Sequence, residues 1–230
     1  MKTVLKRIKE SEGAGRLGRH VEHDPRSLAF SAGTAAVKSV RHKRHGKAFD
    51  QGELGSCTGN AMAGALMTEP LWKSGRHLTE KDAVALYKAA TRLDSIPGVY
   101  PPHDTGSSDL AVMKAATKAK YISGYAHTFS LVQLLGSLVR YPGILGVNWY
   151  DSFDSPRSDG ECPLKRNATI HSSHEVQLFG IDVRKKQVWC YNSWGSTWGG
   201  RRDGTFCFSY KTLERLLHEQ GDATFPRVRA

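Results

Sequence analysis

The stretch that most restricts how this 230-residue chain can fold is Asp50-Gln51-Gly52-Glu53-Leu54-Gly55-Ser56-Cys57, followed directly by Thr58-Gly59-Asn60-Ala61-Met62-Ala63-Gly64-Ala65-Leu66. Glycines cluster before a cysteine, and a small-residue, helix-compatible run follows it. A loop that delivers a thiol to the first turn of a helix has this composition. There the positive end of the helix dipole favours thiolate over thiol. The small residues let such a helix pack closely against a neighbour. The same pattern also fits a buried structural cysteine. A nucleophile needs a histidine and an Asn or Asp from elsewhere in the chain.

Both partners are present far downstream. His171-Ser172-Ser173-His174-Glu175-Val176 leads into a strand-like run, and Tyr191-Asn192-Ser193-Trp194-Gly195-Ser196-Thr197-Trp198-Gly199 follows. The Q-G-x-x-G-S-C segment, a histidine opening a strand and N-S-W-G-x-x-W-G, in that order, resemble the papain-like cysteine peptidase family over residues 49–210. The resemblance implies an α+β fold of two lobes, helical first and antiparallel sheet second, with the active cleft between them. It implies Cys57 as nucleophile, His174 as general base and Asn192 as the group that orients the imidazole. Gln51 matches the side-chain donor of the oxyanion hole, beside the backbone N–H of Cys57. Trp194 matches the indole that covers the Asn192–His174 bond. No metal or other cofactor is called for. Leu54 stands where the family usually has Cys, so a disulfide common in this loop cannot form, and Thr58 stands where Trp is usual. Ser172-Ser173 before His174 leave His171 as a rival base. The G-S-C-T sequence, and the leader around residues 17–27, look most like bacterial and phage-encoded members.

The rest of the chain reads as helices followed by strands. Thr79-Glu80-Lys81-Asp82 is a capping-box-like start, and Ala83, Leu86, Tyr87 and Ala90 follow on one helical face. Prolines and glycines over 94–106 require a loop. Residues 104–108 are either a cap before a helix over 109–120 or a wall of the cleft. Leu131, Leu134, Leu135 and Leu138 mark another short helix. From Ile144 the pattern changes to strands over 144–149, 176–182, 187–191 and 205–210. A closing helix over 211–219 turns Leu213, Leu216 and Leu217 inward. This order is an α+β pattern, with a catalytic domain at 48–230 divided into lobes near residue 140. Tyr100, Pro101, Trp149 and Tyr150 are candidates to line the cleft. Cys190 and Cys207 fall on strands that can be adjacent, where a bridge is possible, but without a signal peptide reduced thiols are expected.

Residues 1–47 read as a basic N-terminal extension. The first fifty residues hold 12 Lys or Arg against 5 Asp or Glu, which is most of the chain's net charge of +11. The arm is either solvated surface or a contact with an acidic partner such as nucleic acid, an acidic protein face, an anionic cell wall or a phage particle. It is too short to resemble the long inhibitory prosegment of secreted peptidases. No apolar segment follows Lys2, Lys6, Arg7 and Lys9, so no secretory signal peptide is expected. No apolar run approaches the ~18–20 residues of a membrane span. The expectation is a chain that is cytoplasmic when made, with a virion as a further location. His20, His23, His42 and His45 lie in the basic segment and read as surface histidines. Two functions fit: a cysteine-nucleophile hydrolase of peptide or protein substrates, or a structural or accessory component of a phage particle. In the second, the site is vestigial or used on host cell-wall peptides.

Overall fold

The computed structural model describes residues 17–22 and 36–228. Cys57–Leu66 forms α1, a helix buried on every face. Its small residues permit this: a side chain at Gly59 would collide with the carbonyl of Ala83 in the next helix, α2 (Glu80–Ala90). The capping box at the start of α2 is present, with the Asp82 carboxylate accepting the Thr79 amide at 2.8 Å. Ser108 caps α3 (Asp109–Lys118) by accepting the Ala111 amide at 3.0 Å, a bond type that stabilises a helix by about 1 kcal/mol. These three helices pack on one another through Ala63, Leu66, Ala83, Leu86, Val112 and Met113.

The other layer is a seven-stranded antiparallel sheet, ordered β2 (Gly124–Thr128), β7 (Asp222–Arg227), β3 (Gly143–Tyr150), β4 (Ile170–Asp182), β5 (Gln187–Tyr191) and β6 (Thr205–Ser209), with β1 (Val40–Arg41) paired to β4. Helices α4 (Leu131–Leu138) and α5 (Tyr210–His218) close the sheet's own core around Trp149, Phe153, Phe206, Phe208 and Phe225. Burying side chains of this size contributes about 1.5–3 kcal/mol each. Side chains alternate along β4. Val176 and Leu178 join the Trp149 core, while Gln177 turns the other way and donates to Thr68 Oγ1 at 2.8 Å beside α1. One strand thus faces both layers, and its N-terminal half carries His174.

Two expectations need correction. The described parts of the 1–47 extension do not form a free arm. β1 pairs with β4, and the guanidinium groups of Arg41 and Arg44 lie 4.3 Å from the Trp189 ring and 4.7 Å from the Tyr191 ring. Two arginines of the basic run Arg41-His42-Lys43-Arg44-His45 are thus held by cation–π contact, which sequence spacing cannot show because the aromatics come from β5. Lys2, Lys6, Arg7, Lys9 and His23 lie outside the described residues. The reduced state expected for Cys190 and Cys207 holds: both are free thiols, because Cys190 pairs in register with Phe206 and Trp189 with Cys207. The one-residue offset turns the two sulfurs to opposite faces of the sheet. Trp149 does not line a cleft; it is fully buried. No helix among the described residues is long and apolar enough to cross a membrane.

Candidate active site

Cys57 is the first residue of α1, and Gly55 ahead of it is fastened by its amide to Asp104 Oδ2 at 2.8 Å. Tyr87 of α2 holds the other oxygen of Asp104 at 2.5 Å. The loop that presents the thiol is therefore tied to the second helix and to residues 104–106. Ser107 and Ser108 complete that wall, so the segment serves as both helix cap and groove lining.

Across the groove, His174 Nε2 lies 2.8 Å from Asn192 Oδ1. His174 is fully buried, with the Trp194 ring tilted against it at 5.1 Å and the Trp149 ring edge-on at 4.9 Å. Its Nδ1 has no hydrogen bond and is the ring nitrogen left to serve a thiol. His171 is a different case: its side chain is 40% exposed and its Nδ1 is 3.5 Å from Asp154. The structure thus brings His174, not His171, to Asn192. Gln51 accepts from Ser193 Oγ at 2.5 Å and donates to the Leu54 carbonyl at 2.7 Å, which fixes its amide between the cysteine loop and the asparagine loop.

The groove is filled by the chain's own residues 17–22. The backbone N–H groups of Gly18, Glu175 and Thr58 all point at the Cys57 sulfur. A side chain at Gly18 would collide with the carbonyl oxygen of Gly55, so only glycine fits that close to the thiol. The Gly18 carbonyl accepts from Ser107 at 2.8 Å, and the His20 amide donates to the Ser107 carbonyl at 2.8 Å. The Arg19 amide donates to the Ser173 carbonyl at 3.3 Å. Beyond it, the His20 ring is 2.6 Å from the Thr105 carbonyl, and Ser108 donates to Glu22 at 2.5 Å. The Arg19 side chain leaves the groove downward and donates to Asp222 Oδ1 at 2.5 Å, with both side chains fully buried.

Burial sets the electrostatics of the site. It pushes the Cys57 thiol up to about 12, with the Glu175 charge adding to the effect, against three amide hydrogen bonds that pull the other way. Burial pushes His174 down to about 4, opposed by the bond to Asn192. With the groove filled, the pair is a neutral thiol and a neutral imidazole. A buried histidine whose folded pKa lies below its unfolded value of about 6.5 stabilises the fold above that value. The contribution is lost as pH falls towards 4, and its full size is about 3 kcal/mol. Urea unfolding of the wild type at pH 7 and pH 4.5, against His174→Gln, should show a smaller acid-side loss in the variant. Equal losses would contradict this.

Asp109, His127, Glu175 and Asp222 gather where Arg19 ends, although none was singled out as a site residue from sequence. His127 Nε2 lies 2.9 Å from Asp222 and 3.2 Å from Asp109. These three have the ligand types and closeness to hold a metal ion. His20, His42 and His45 form no such group. His42 rests on the Leu138 carbonyl at 2.7 Å, and His45 stacks on Trp72 with ring centroids 3.7 Å apart.

No protein-family profile matches the chain, and no curated protein matches it by sequence. Solved structures do. Xylellain, a cysteine protease from Xylella fastidiosa, is similar with a TM-score of 0.74 at 21% identity, over 99% of this chain and 100% of that one. Procathepsin L2 from Tenebrio molitor larval midgut gives 0.63 at 15% identity, over 94% and 80%. Procathepsin B S9 from Trypanosoma congolense gives 0.61 at 11% identity, over 94% and 88%. The chain therefore has the papain-like α+β fold.

Proposed function

We propose that this protein is a papain-like cysteine peptidase whose cleft is closed by its own N-terminal residues. The observation that carries the reading is the convergence on one groove of a cysteine opening a helix, a buried His174–Asn192 pair and Gln51. The fold alone does not fix the chemistry, but this residue set suits acyl transfer. Cys57 attacks the carbonyl carbon of a peptide bond after passing its proton to His174. The Cys57 amide and Gln51 hold the oxyanion. His174 then protonates the leaving amine, and finally takes a proton from the water that cleaves the thioester. Asn192 keeps the imidazole in the orientation that serves the sulfur, and Trp194 and Trp149 keep water off that bond, where a low local dielectric strengthens it.

Residues 17–22 cannot themselves be the substrate in this pose. Gly18 offers the sulfur an N–H donor rather than a carbonyl carbon, and its carbonyl is engaged by Ser107. A neutral thiol under that strap is latent. The similarity to structures of proenzymes such as procathepsin L2 supports this part of the reading. The test is digestion of casein, with a thiol-directed epoxide as inhibitor. Loss of activity in step with modification of Cys57 supports the peptidase. Full activity in chains fully modified at Cys57 rules it out.

A further inference from the structure

His127 Nε2 stands 2.9 Å from Asp222 Oδ2 and 3.2 Å from Asp109 Oδ2, and all three side chains are fully buried. One ring nitrogen carries at most one proton, and one proton satisfies only one of the two oxygens. Asp109 Oδ2 is left without a hydrogen bond. A metal ion bonded to all three atoms leaves neither oxygen over. Ligand atoms bonded to a shared ion at about 2.0–2.2 Å, near right angles to one another, lie about 3 Å apart. That is the spacing His127 keeps from both acids. A fourth donor borders the same space. Glu175 is fully buried, and neither of its carboxyl oxygens makes a hydrogen bond. A Cβ at position 146 would meet both Arg19 Nε and Glu175 Oε2, so that oxygen lies beside the arginine side chain that ends on Asp222. One imidazole and several carboxylate oxygens, without a thiolate, suit Mn²⁺, Fe²⁺ or Zn²⁺ better than a soft ion.

With residues 17–22 in the groove, Arg19 stands in the way of such an ion. Its guanidinium donates to Asp222 Oδ1 at 2.5 Å, on the carboxylate whose Oδ2 faces His127. The ligand side chains are closed off from solvent in this state, so an ion enters once the segment lifts. Burial raises Asp109 and Glu175 towards their neutral forms, so the closed pocket is not a ring of bare carboxylates. Its cations are Arg19 and His127; at His127 burial is outweighed by Asp109 and Asp222, which push it up to about 10. When the segment leaves, the guanidinium goes with it, and when an ion binds, the imidazole gives up its proton. Two positive charges depart and a dication brings two. Any proton on the ligating oxygen of Asp109 is released as well.

We propose that Asp109, His127 and Asp222, with Glu175, form a site for a divalent first-row metal ion that competes with Arg19, so that binding of the ion draws residues 17–22 out of the groove and uncovers Cys57. An ion that binds only the open form raises its population by one plus the ratio of free ion to Kd. Neither step requires peptide hydrolysis, so the site stands or falls apart from the peptidase reading. Manganese(II) chloride is the probe, because Mn²⁺ avoids thiols and its unbound form is counted by electron paramagnetic resonance. Full-length wild type and Arg19→Ala are titrated at pH 7.5, and Cys57 alkylation by iodoacetamide is followed in both. If Arg19→Ala does not fold, Arg19→Gln replaces it. Arg19→Ala should bind one Mn²⁺ at least tenfold more tightly than the wild type, and adding Asp109→Asn should weaken that binding at least tenfold. The electron spin echo of the bound ion should show an imidazole nitrogen, which tests the ligands even where the Asp109→Asn chain fails to fold. Saturating Mn²⁺ should speed Cys57 alkylation at least tenfold in the wild type and little in Arg19→Ala, which is already open. No Mn²⁺ on the Arg19→Ala chain, no imidazole nitrogen, or binding untouched by Asp109→Asn overturns the site. Equal affinity in the two chains, or wild-type alkylation unchanged by bound Mn²⁺, overturns the competition with Arg19.

Discussion

Replacing Cys57 with alanine is expected to lower casein and peptide hydrolysis by at least about 10⁴-fold, because a group acting as the sole nucleophile takes nearly the whole catalytic unit with it. No other cysteine can substitute: Cys162, Cys190 and Cys207 are buried free thiols, with Cys162 and Cys190 in the sheet core and Cys207 packed with Phe179 and Trp189. The fold should survive, since a single sulfur is lost from a position bounded largely by backbone amides. Melting temperature measured alongside activity separates the two effects. Hydrolysis within tenfold of wild type, in a folded variant, would remove Cys57 from the mechanism.

Arg19→Ala should act in the opposite direction. The strap over the groove is anchored at one end by a fully buried ion pair, and removing one member of such a pair costs about 3–5 kcal/mol. Part of that cost is shared with the released state, where Asp222 has lost the guanidinium in either chain and keeps His127. A net weakening of the closed state by about 3 kcal/mol corresponds to roughly a 100-fold rise in the open fraction. Peptide hydrolysis by the full-length variant should rise by about that factor. Salt should change the wild type little, because screening acts on exposed charges and this pair is closed off from solvent. An unchanged rate in the variant would mean that residues 17–22 do not hold the enzyme latent.

The helical elements were legible because their apolar residues recur at helical spacing and their caps are local. Thr79 and Asp82, or Ser108 and Ala111, lie within one turn of each other. The candidate site was legible for a different reason: glycines, cysteine, histidine and asparagine stand in short runs whose chemistry restricts them. Strands β2 and β7 were missed. Pro226 argues against a strand by sequence. It is tolerated because β3 pairs only with residues 222–224 of β7, and Tyr125 of β2 is the sole strand partner at that level. With β2 and β7 unseen, His127 and Asp222 were ordinary polar residues. Arg19 and Asp222 are 203 positions apart, and no periodicity or motif spans that distance. The basic segment therefore read as a charge excess, when part of it is a tether whose complement lies at the other end of the chain.

The pH dependence of Cys57 alkylation tests the central claim most directly: that His174 generates the thiolate once the strap has left. Iodoacetamide modification would be followed by mass mapping in the full-length Arg19→Ala chain between pH 5 and 8, with the same chain carrying His174→Ala as reference. An imidazolium beside the sulfur keeps thiolate present well below the ordinary thiol pKa. The account predicts a Cys57 rate at pH 5.5 within a few-fold of that at pH 8, ahead of the other three cysteines, and its collapse in the His174→Ala chain. A rate that falls about tenfold per pH unit in both chains, as for an unassisted thiol, would contradict it.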